Sequence, residues 1–331
     1  MQILLVKMAD SMFNRSIWEG LSRAWTSLGH RVVEVDAHAL KNVEALSDLP
    51  EVLFAVHGGT VPTSIIDGYR RRGVTTAVYL LDEPYEVDRS SAWARHYEFV
   101  FSVDRQTVPH HAQFSRADHL PLAFDADRFR PDGRAYACEI LVLGSPFEHR
   151  LQLLAPLRAR FGKHITWVGP GWQPFCPSGR HVDQLVTPDI CARFYRGASF
   201  VINIHRDSFW SHYGETNTSR IAATHLNPRF WESAACGAFQ LCSHRADLAE
   251  FDGVVESFDT TDQLGHLIEA YWDAPEERRR LEALASQAVR QHTYKERAET
   301  ILARFAHAQQ TSPDIGVLQP VGKENSLGDD K

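Results

Sequence analysis

The chain has 331 residues, too long for one ordinary α/β core and suited to two domains of about 150 residues each. With 35 Lys and Arg against 42 Asp and Glu, its net charge of −7 excludes an overall attraction for a polyanion or an anionic membrane surface and leaves room only for a local basic groove. Apolar residues make up 44%, yet the longest apolar runs are strand-length and none approaches the roughly 18 residues of a membrane helix.

The N-terminus, MQILLV, lacks the basic region, long apolar segment and cleavage site of a secretory signal, so export is not expected. Gln2 to Val6 is instead a continuous apolar strand, Ile17 to Leu28 is helix-periodic and ends at Gly29, and Arg31 to Val35 is a strand closing on Asp36, which together open a βαβ unit. Val52 to Val56, Thr75 to Leu81 and Phe99 to Val103 repeat the theme, each an apolar run ending in polar or turn residues: His57-Gly58-Gly59, Asp82-Glu83-Pro84 and Asp104. Parallel strands buried on both faces have this composition. Leu120-Pro121-Leu122 and the turn Phe129 to Gly133 break the pattern, which puts a domain boundary near residue 133.

The second half begins with a strand at Glu139 to Leu143, followed by Gly144, a helix from about Arg150 to Phe161 and a strand at Ile165 to Val168. The turn Gly169-Pro170-Gly171, a helix at Ile190 to Arg196 and a strand at Phe200 to Ile204 follow, the plan of a second doubly wound sheet. Residues 205–225 are polar with interspersed aromatics and irregular, long enough to be a functional loop. Beyond lie a strand at Phe239 to Cys242 and helices at about Thr261 to Trp272, Glu276 to Gln291 and Tyr294 to His307. Residues 311–331 read as a flexible tail. Cys138, Cys176, Cys191, Cys236 and Cys242 are scattered, odd in number and without a CxxC pair, so reduced thiols and a cytoplasmic location are expected.

One stretch carries chemistry: LNPRFWESAACG at 226–237. Asn227 suits a helix N-cap and Pro228 the first helical position, where its missing N–H has no partner to lose. The amides of Arg229 and Phe230, with the positive end of the helix dipole, would then face an anion, and Glu232 could accept hydrogen bonds from sugar hydroxyls. An ordinary buried helix can open the same way, with a salt-bridged Glu, and local sequence leaves the two readings level. No HExxH and no DxD-like acidic pair is evident, and His110-His111 reads as packed or surface residues, so no metal site is expected.

Two Rossmann-like halves of which the second carries a nucleotide-type helix entrance resemble the GT-B glycosyltransferases. The blocks LPLAFDADRFRP (120–131), EILVLGSPFEHR (139–150), WVGPGW (167–172), FVINIHRD (200–207), LNPRFWESAACGAFQL (226–241) and HTYKERAETIL (292–302) are, in order and spacing, similar to the CgeB-like family, related to the retaining nucleotide-sugar-dependent transferases. The resemblance spans most of residues 75 to 305. It implies an α/β, GT-B-type fold with two doubly wound domains facing across a cleft: 1–133 for the acceptor, 134–291 for the donor, and a terminal helix at 292–310 packing back towards the first domain.

Carried over by position, it implies that Glu232 takes the donor's ribose, that the amides around Gly144 and Ser145, with Arg150, take the diphosphate, and that Gly169, Gly171 and Trp172 border the base, Trp172 by stacking. His205 and Arg206 would lie near the phosphates. Charge on the leaving nucleoside diphosphate would be met by Arg150, Arg206, Arg229 and helix-end amides without a metal. No permanent cofactor is implied; a nucleoside-diphosphate sugar, a UDP-sugar first among them, is the co-substrate. Where related transferases carry two glutamates eight positions apart, Thr224 stands at the first, which leaves sugar recognition open.

The acceptor would enter from the first domain, where Asp10, His57, Asp82, Glu83 and Asp104 stand at strand ends. Asp82 and Glu83 are the favoured catalytic carboxylates, Asp10 and His57 next, although Asp-Glu-Pro also makes an ordinary turn. The reaction expected is sugar transfer to a hydroxyl, with retention implied by the resemblance. A nucleotide-sugar epimerase on the same plan, or a non-catalytic nucleotide-sugar-binding protein, are the alternatives; a dehydrogenase is disfavoured because residues 7–14, KMADSMFN, hold no G-x-G-x-x-G. The acceptor is open among lipid-linked sugar, polysaccharide, peptide, small metabolite and nucleic-acid base, the acidic charge counting mildly against the last.

Overall fold

The computed structural model describes residues 1–8, 14–40 and 48–311. Residues from Met1 to Ala298 form one compact unit, and the chain from Glu299 onward a second.

The first sheet has strands β1 (Gln2–Lys7), β2 (Arg31–Asp36), β3 (Val52–Val56), β4 (Thr75–Leu80), β5 (Phe99–Ser102) and β6 (Arg116–His119), all parallel, in the order β2-β1-β3-β4-β5-β6. Helices α1 (Arg15–Ser27), α2 (Thr63–Arg71), α3 (Val87–Ala94) and α4 (Val108–His111) accompany it. Each central strand is an unbroken apolar run because both faces are covered: Leu4, opposite Val33 and Leu53, is fully buried. Strand β6 escapes sequence reading because its RADH is polar, as an edge strand can be.

The second sheet is also parallel: β7 (Cys138–Leu143), β8 (Ile165–Val168), β9 (Arg180–Val182), β10 (Ala198–Asn203), β11 (Gln240–Ser243) and β12 (Glu256–Phe258), ordered β12-β11-β10-β7-β8-β9. Its helices are α5 (Glu148–Phe161), α6 (Pro188–Gly197), α7 (Pro228–Ala235), α8 (Thr261–Trp272) and α9 (Pro275–Val289). The core is aromatic, with Trp167, Trp172 and Phe200 packed among aliphatic residues.

Both strand orders reverse direction once, between β1 and β3 in the first sheet and between β7 and β10 in the second. Ligands of open α/β sheets bind outside the carboxyl ends of strands at such points. The loops there begin at Met8, His57, Gly144 and Ile204. Helix α10 (Tyr294–Thr311) closes the described chain. Its start returns to the connecting segment: Thr293 bridges Phe124, and Arg297 donates to the carbonyls of Pro121 at 2.7 Å and Leu122 at 3.1 Å. The tail read at 311–331 lies, beyond Thr311, outside the described residues.

Candidate active site

A cavity of about 480 Å³ opens at the two switch points and draws its walls from both sheets. On the second-sheet side its floor is Gly144, which has a φ of 129° that only glycine adopts readily. Where a β-carbon would stand, Arg229 Nη1 lies 2.8 Å away and Arg150 Nη1 3.3 Å. Gly169, φ 131°, is tighter still: a β-carbon there would fall 2.3 Å from the Gly144 carbonyl oxygen. Two backbone turns thus touch each other and leave two guanidinium groups over bare main chain.

Those arginines are unusual in their partners. Arg150 is 6% exposed and donates to the Ser145 carbonyl at 2.9 Å, while its Nε has no partner. Arg229 donates to Asn203 Oδ1 at 3.2 Å and to the Ile204 carbonyl at 2.8 Å. Neither has a carboxylate within ion-pair distance among the described residues. Burial, and for Arg150 the neighbouring Arg229 charge, lowers both guanidinium pKa values. A buried and a half-buried guanidinium side by side, neither ion-paired among the described residues, make a site for an anion.

Helix α7 points its first turn at the same cavity. Asn227 caps it, Oδ1 accepting from the Phe230 amide at 3.1 Å, with Pro228 at the first helical position. That cap engages the Phe230 amide, so it is not presented to a ligand, a correction to the reading of two free amides. Glu232, one turn in, lines the cavity and is 7% exposed. Its Oε1 accepts from Ser16 Oγ at 3.0 Å and its Oε2 from the Tyr195 hydroxyl at 3.5 Å. Burial outweighs these bonds and the Arg229 charge and pushes its carboxyl up to about 7.

The first-sheet wall is a linked array. His57 sits at φ 72°, a left-handed conformation uncommon away from glycine, which aims its ring at the cavity. Its Nε2 lies 3.2 Å from Asp82 Oδ2, and Arg206 Nη1 donates to Asp82 Oδ1 at 3.0 Å. Burial opposes a charge on His57, but the Asp82 bond and charge outweigh it and raise the imidazole pKa. Asp82, whose burial acts upward, is held below the usual carboxylate range by His57 and Arg206. Arg206 also reaches Glu86 at 3.5 Å and lies over the Tyr85 ring, 4.4 Å from its centroid.

Asp104, read as an acceptor-side group, is fully buried instead. It accepts from the Thr224 amide at 2.7 Å and from His225 Nδ1 at 3.1 Å, tying the two halves behind the cavity. Thr224 is thereby anchored by its amide and, at 3.4 Å, by its hydroxyl.

Gly144, Ser145, Arg150, Gly169, Asn227 and Arg229 come together at the cavity, as do Arg206, Glu232, His57 and Asp82. The Gly144 amide is spent on the Val168 carbonyl at 2.9 Å and is not available to a phosphate. Arg206 is committed to Asp82 and Glu86, and so belongs to the first-sheet wall. Glu83 points away: it is 1% exposed, accepts from Ser90 Oγ and faces His111. The turn that buries Glu83 against Ser90 and His111 leaves Asp82 at the cavity. His205 is buried, with Nδ1 3.0 Å from the Ser243 carbonyl, and burial followed by Arg245 and Arg229 depresses its pKa. Asp10 lies outside the described residues.

Gly171 is held by Asp183 through its amide, away from the lining. Trp172 is 1% exposed, donates from Nε1 to the Gly144 carbonyl at 2.7 Å and packs 4.9 Å from Trp167, so it supports the floor and offers no stacking face. Trp172→Ala is therefore expected to cost about 3–5 kcal/mol in urea unfolding, as a core tryptophan truncation does. A loss under about 1 kcal/mol would return Trp172 to the ligand surface. Sequence reading missed Ser16, Tyr85 and Glu86; only Glu86, four positions after Asp82, left a visible signal.

Residues 150–303 match the family described as Glycosyl transferase-like. Solved structures of the same architecture include AviGT4, a glycosyltransferase involved in avilamycin A biosynthesis, at 15% identity, TM-score 0.59 and coverage of 94% of this chain and 99% of that one. An alpha-glucosyltransferase (AGT) in complex with UDP matches at 12% identity and TM-score 0.66 over 93% and 100% of the two chains. The same kind of enzyme in complex with UDP-glucose and DNA containing an abasic site matches at 11% identity and TM-score 0.64 over 93% and 99%. The fold is that of the GT-B glycosyltransferases, and the matched segment is glycosyl transferase-like. The spore protein CgeB of Bacillus subtilis (strain 168) is 24% identical over 217 residues, 62% of this chain and 67% of that protein. Over that stretch the chain is similar to CgeB.

Proposed function

We propose that this chain moves a sugar from a UDP-sugar to an acceptor hydroxyl, with retention and with arginines in place of a metal. The observation that carries the reading is the pair of guanidiniums over Gly144, Arg150 buried and Arg229 half-buried and neither ion-paired to a carboxylate among the described residues, one helical turn from Glu232. A diphosphate on Arg150 and Arg229 places the ribose at Glu232 and the base along Gly169 and Pro170, and leaves the sugar facing Asp82. Solved neighbours that carry UDP and UDP-glucose support the choice of donor.

Asp82 is a poor base, because His57 and Arg206 stabilise its anion. It accepts a hydrogen bond from the acceptor hydroxyl and orients it, and the departing phosphate oxygen takes the proton. That transfer requires the acceptor on the leaving-group face, which is retention. The lobes follow as acceptor side, about 1–133, and donor side, about 134–291. All five cysteines are free thiols, and among the described residues no helix is long and apolar enough to cross a membrane, which supports a cytoplasmic site of action.

Thermal shift with a panel of nucleotide sugars tests the donor: a ligand at a hundred times its Kd adds about 2.7 kcal/mol. UDP-sugars are expected to stabilise most, and product analysis then separates transfer from epimerisation. Asp82→Asn is expected to slow transfer about a hundredfold, the scale of lost orientation, with UDP affinity kept within about twofold. Unchanged turnover would remove Asp82 from the mechanism.

A further inference from the structure

Residues 205–225 carry a group of aromatic rings at the mouth of the cavity that the donor does not use. Phe147 and Trp210 lie 4.4 Å apart and Trp210 and His212 4.5 Å apart, so the three rings form one cluster. Tyr213 is 61% exposed, yet its ring is fixed by the Arg89 guanidinium 3.2 Å from the centroid. His212 and Tyr213 both line the cavity. The segment is anchored to the acceptor wall: Arg206 donates to the Trp210 carbonyl at 3.0 Å, and Ser211 Oγ to Glu86 at 3.5 Å.

The charges beside these rings decide what they can hold. Arg206 is neutralised by Asp82 and Glu86, and Arg89 by Glu86 at 3.3 Å and by the Tyr213 ring. Asp207 and Glu215, on the same segment, are exposed, as is Arg220, whose guanidinium lies over the Phe209 ring 4.3 Å from its centroid. A polyanion would meet cations engaged with carboxylates or rings, and two exposed carboxylates, so it would find little net attraction. An exposed ring beside carboxylate acceptors suits a molecule with an apolar C–H face and hydroxyls on its edge.

We infer that the mouth is an acceptor subsite for a neutral carbohydrate, with one sugar ring over Tyr213 and His212 and its hydroxyls turned to Asp82. This rests on the donor reading above, and it sets the chain apart from the solved neighbours in complex with DNA. The test loads the full-length protein with UDP and probes an array of neutral glycans, sulfated glycans and 13-mer duplex DNA. Capture on neutral glycans is expected, reduced about tenfold in Tyr213→Ala and in His212→Ala, while calorimetry shows UDP affinity within about twofold of the parent. Capture on DNA or sulfated glycans instead, or on no spot although calorimetry shows UDP bound, overturns the inference. A protein that binds no UDP removes both this inference and the donor reading.

Discussion

Arg150→Met is expected to weaken UDP binding about a hundredfold and to make the ligand-free protein more stable. Arg150 keeps a charge in a buried position with one carbonyl acceptor, an unpartnered Nε and a second arginine beside it. Without a ligand only the Ser145 carbonyl and the Phe147 ring, 4.6 Å from the guanidinium, offset its lost hydration, and replacing such a charge by an apolar residue of similar size stabilises by about 1–4 kcal/mol. The Ser145 carbonyl, which loses the guanidinium, still accepts from the Phe147 amide at 3.0 Å. With diphosphate present the balance inverts, because removing one member of a desolvated charge pair costs about 2–5 kcal/mol. Calorimetry with UDP and thermal unfolding of the apo protein read the two effects. Arg229→Met serves as the contrast: it strips donors from Asn203 and Ile204, so both affinity and stability should fall. An Arg150→Met protein less stable than its parent, with unchanged UDP affinity, would mean that the guanidinium is a structural strut.

How much of this was readable in the chain depends on the range of the interaction. The central strands declare themselves as apolar runs, and the α7 entrance as Asn227-Pro228, because buried parallel strands and helix caps are local. The choice between Asp82 and Glu83 was not local: the turn faces one carboxylate to the cavity and the other to Ser90 and His111, which only the packed fold decides. Trp172 shows the same limit, since an indole beside two glycines can stack on a base or fill a core. The Ser16 to Glu232 bond spans 216 positions and leaves no trace in either segment. The polar loop at 205–225 read as functional because it fitted no period; the structure adds that its Thr216 hydroxyl donates to the Tyr85 carbonyl at 2.8 Å and its Thr218 amide to Asp88 at 2.7 Å. Polar residues that look idle along the chain are thus the ones that bind the two halves.

Glu232→Gln is expected to change how both stability and donor affinity depend on pH. The carboxyl moves from 4.5 in the unfolded chain to about 7 in the fold, so between those values the native state binds more protons than the unfolded one. Stability therefore falls as pH rises through this window, by about 3 kcal/mol in all, and is flat on either side with respect to this group. Glutamine has no such titration, so the urea-unfolding difference between variant and parent should shift in the variant's favour from pH 5 to pH 8. Donor binding runs the other way. In the proposed donor pose ribose hydroxyls donate to the anion, so UDP binding should expel a fraction of a proton near pH 7, seen as a calorimetric enthalpy that changes with the buffer's own ionisation heat. In Glu232→Gln the buffer dependence assigned to this carboxyl should vanish and UDP affinity should drop about tenfold, the loss of a charge-assisted hydrogen bond. Parallel stability profiles for variant and parent would show that Glu232 titrates normally, and an unchanged affinity would move the ribose elsewhere in the cavity.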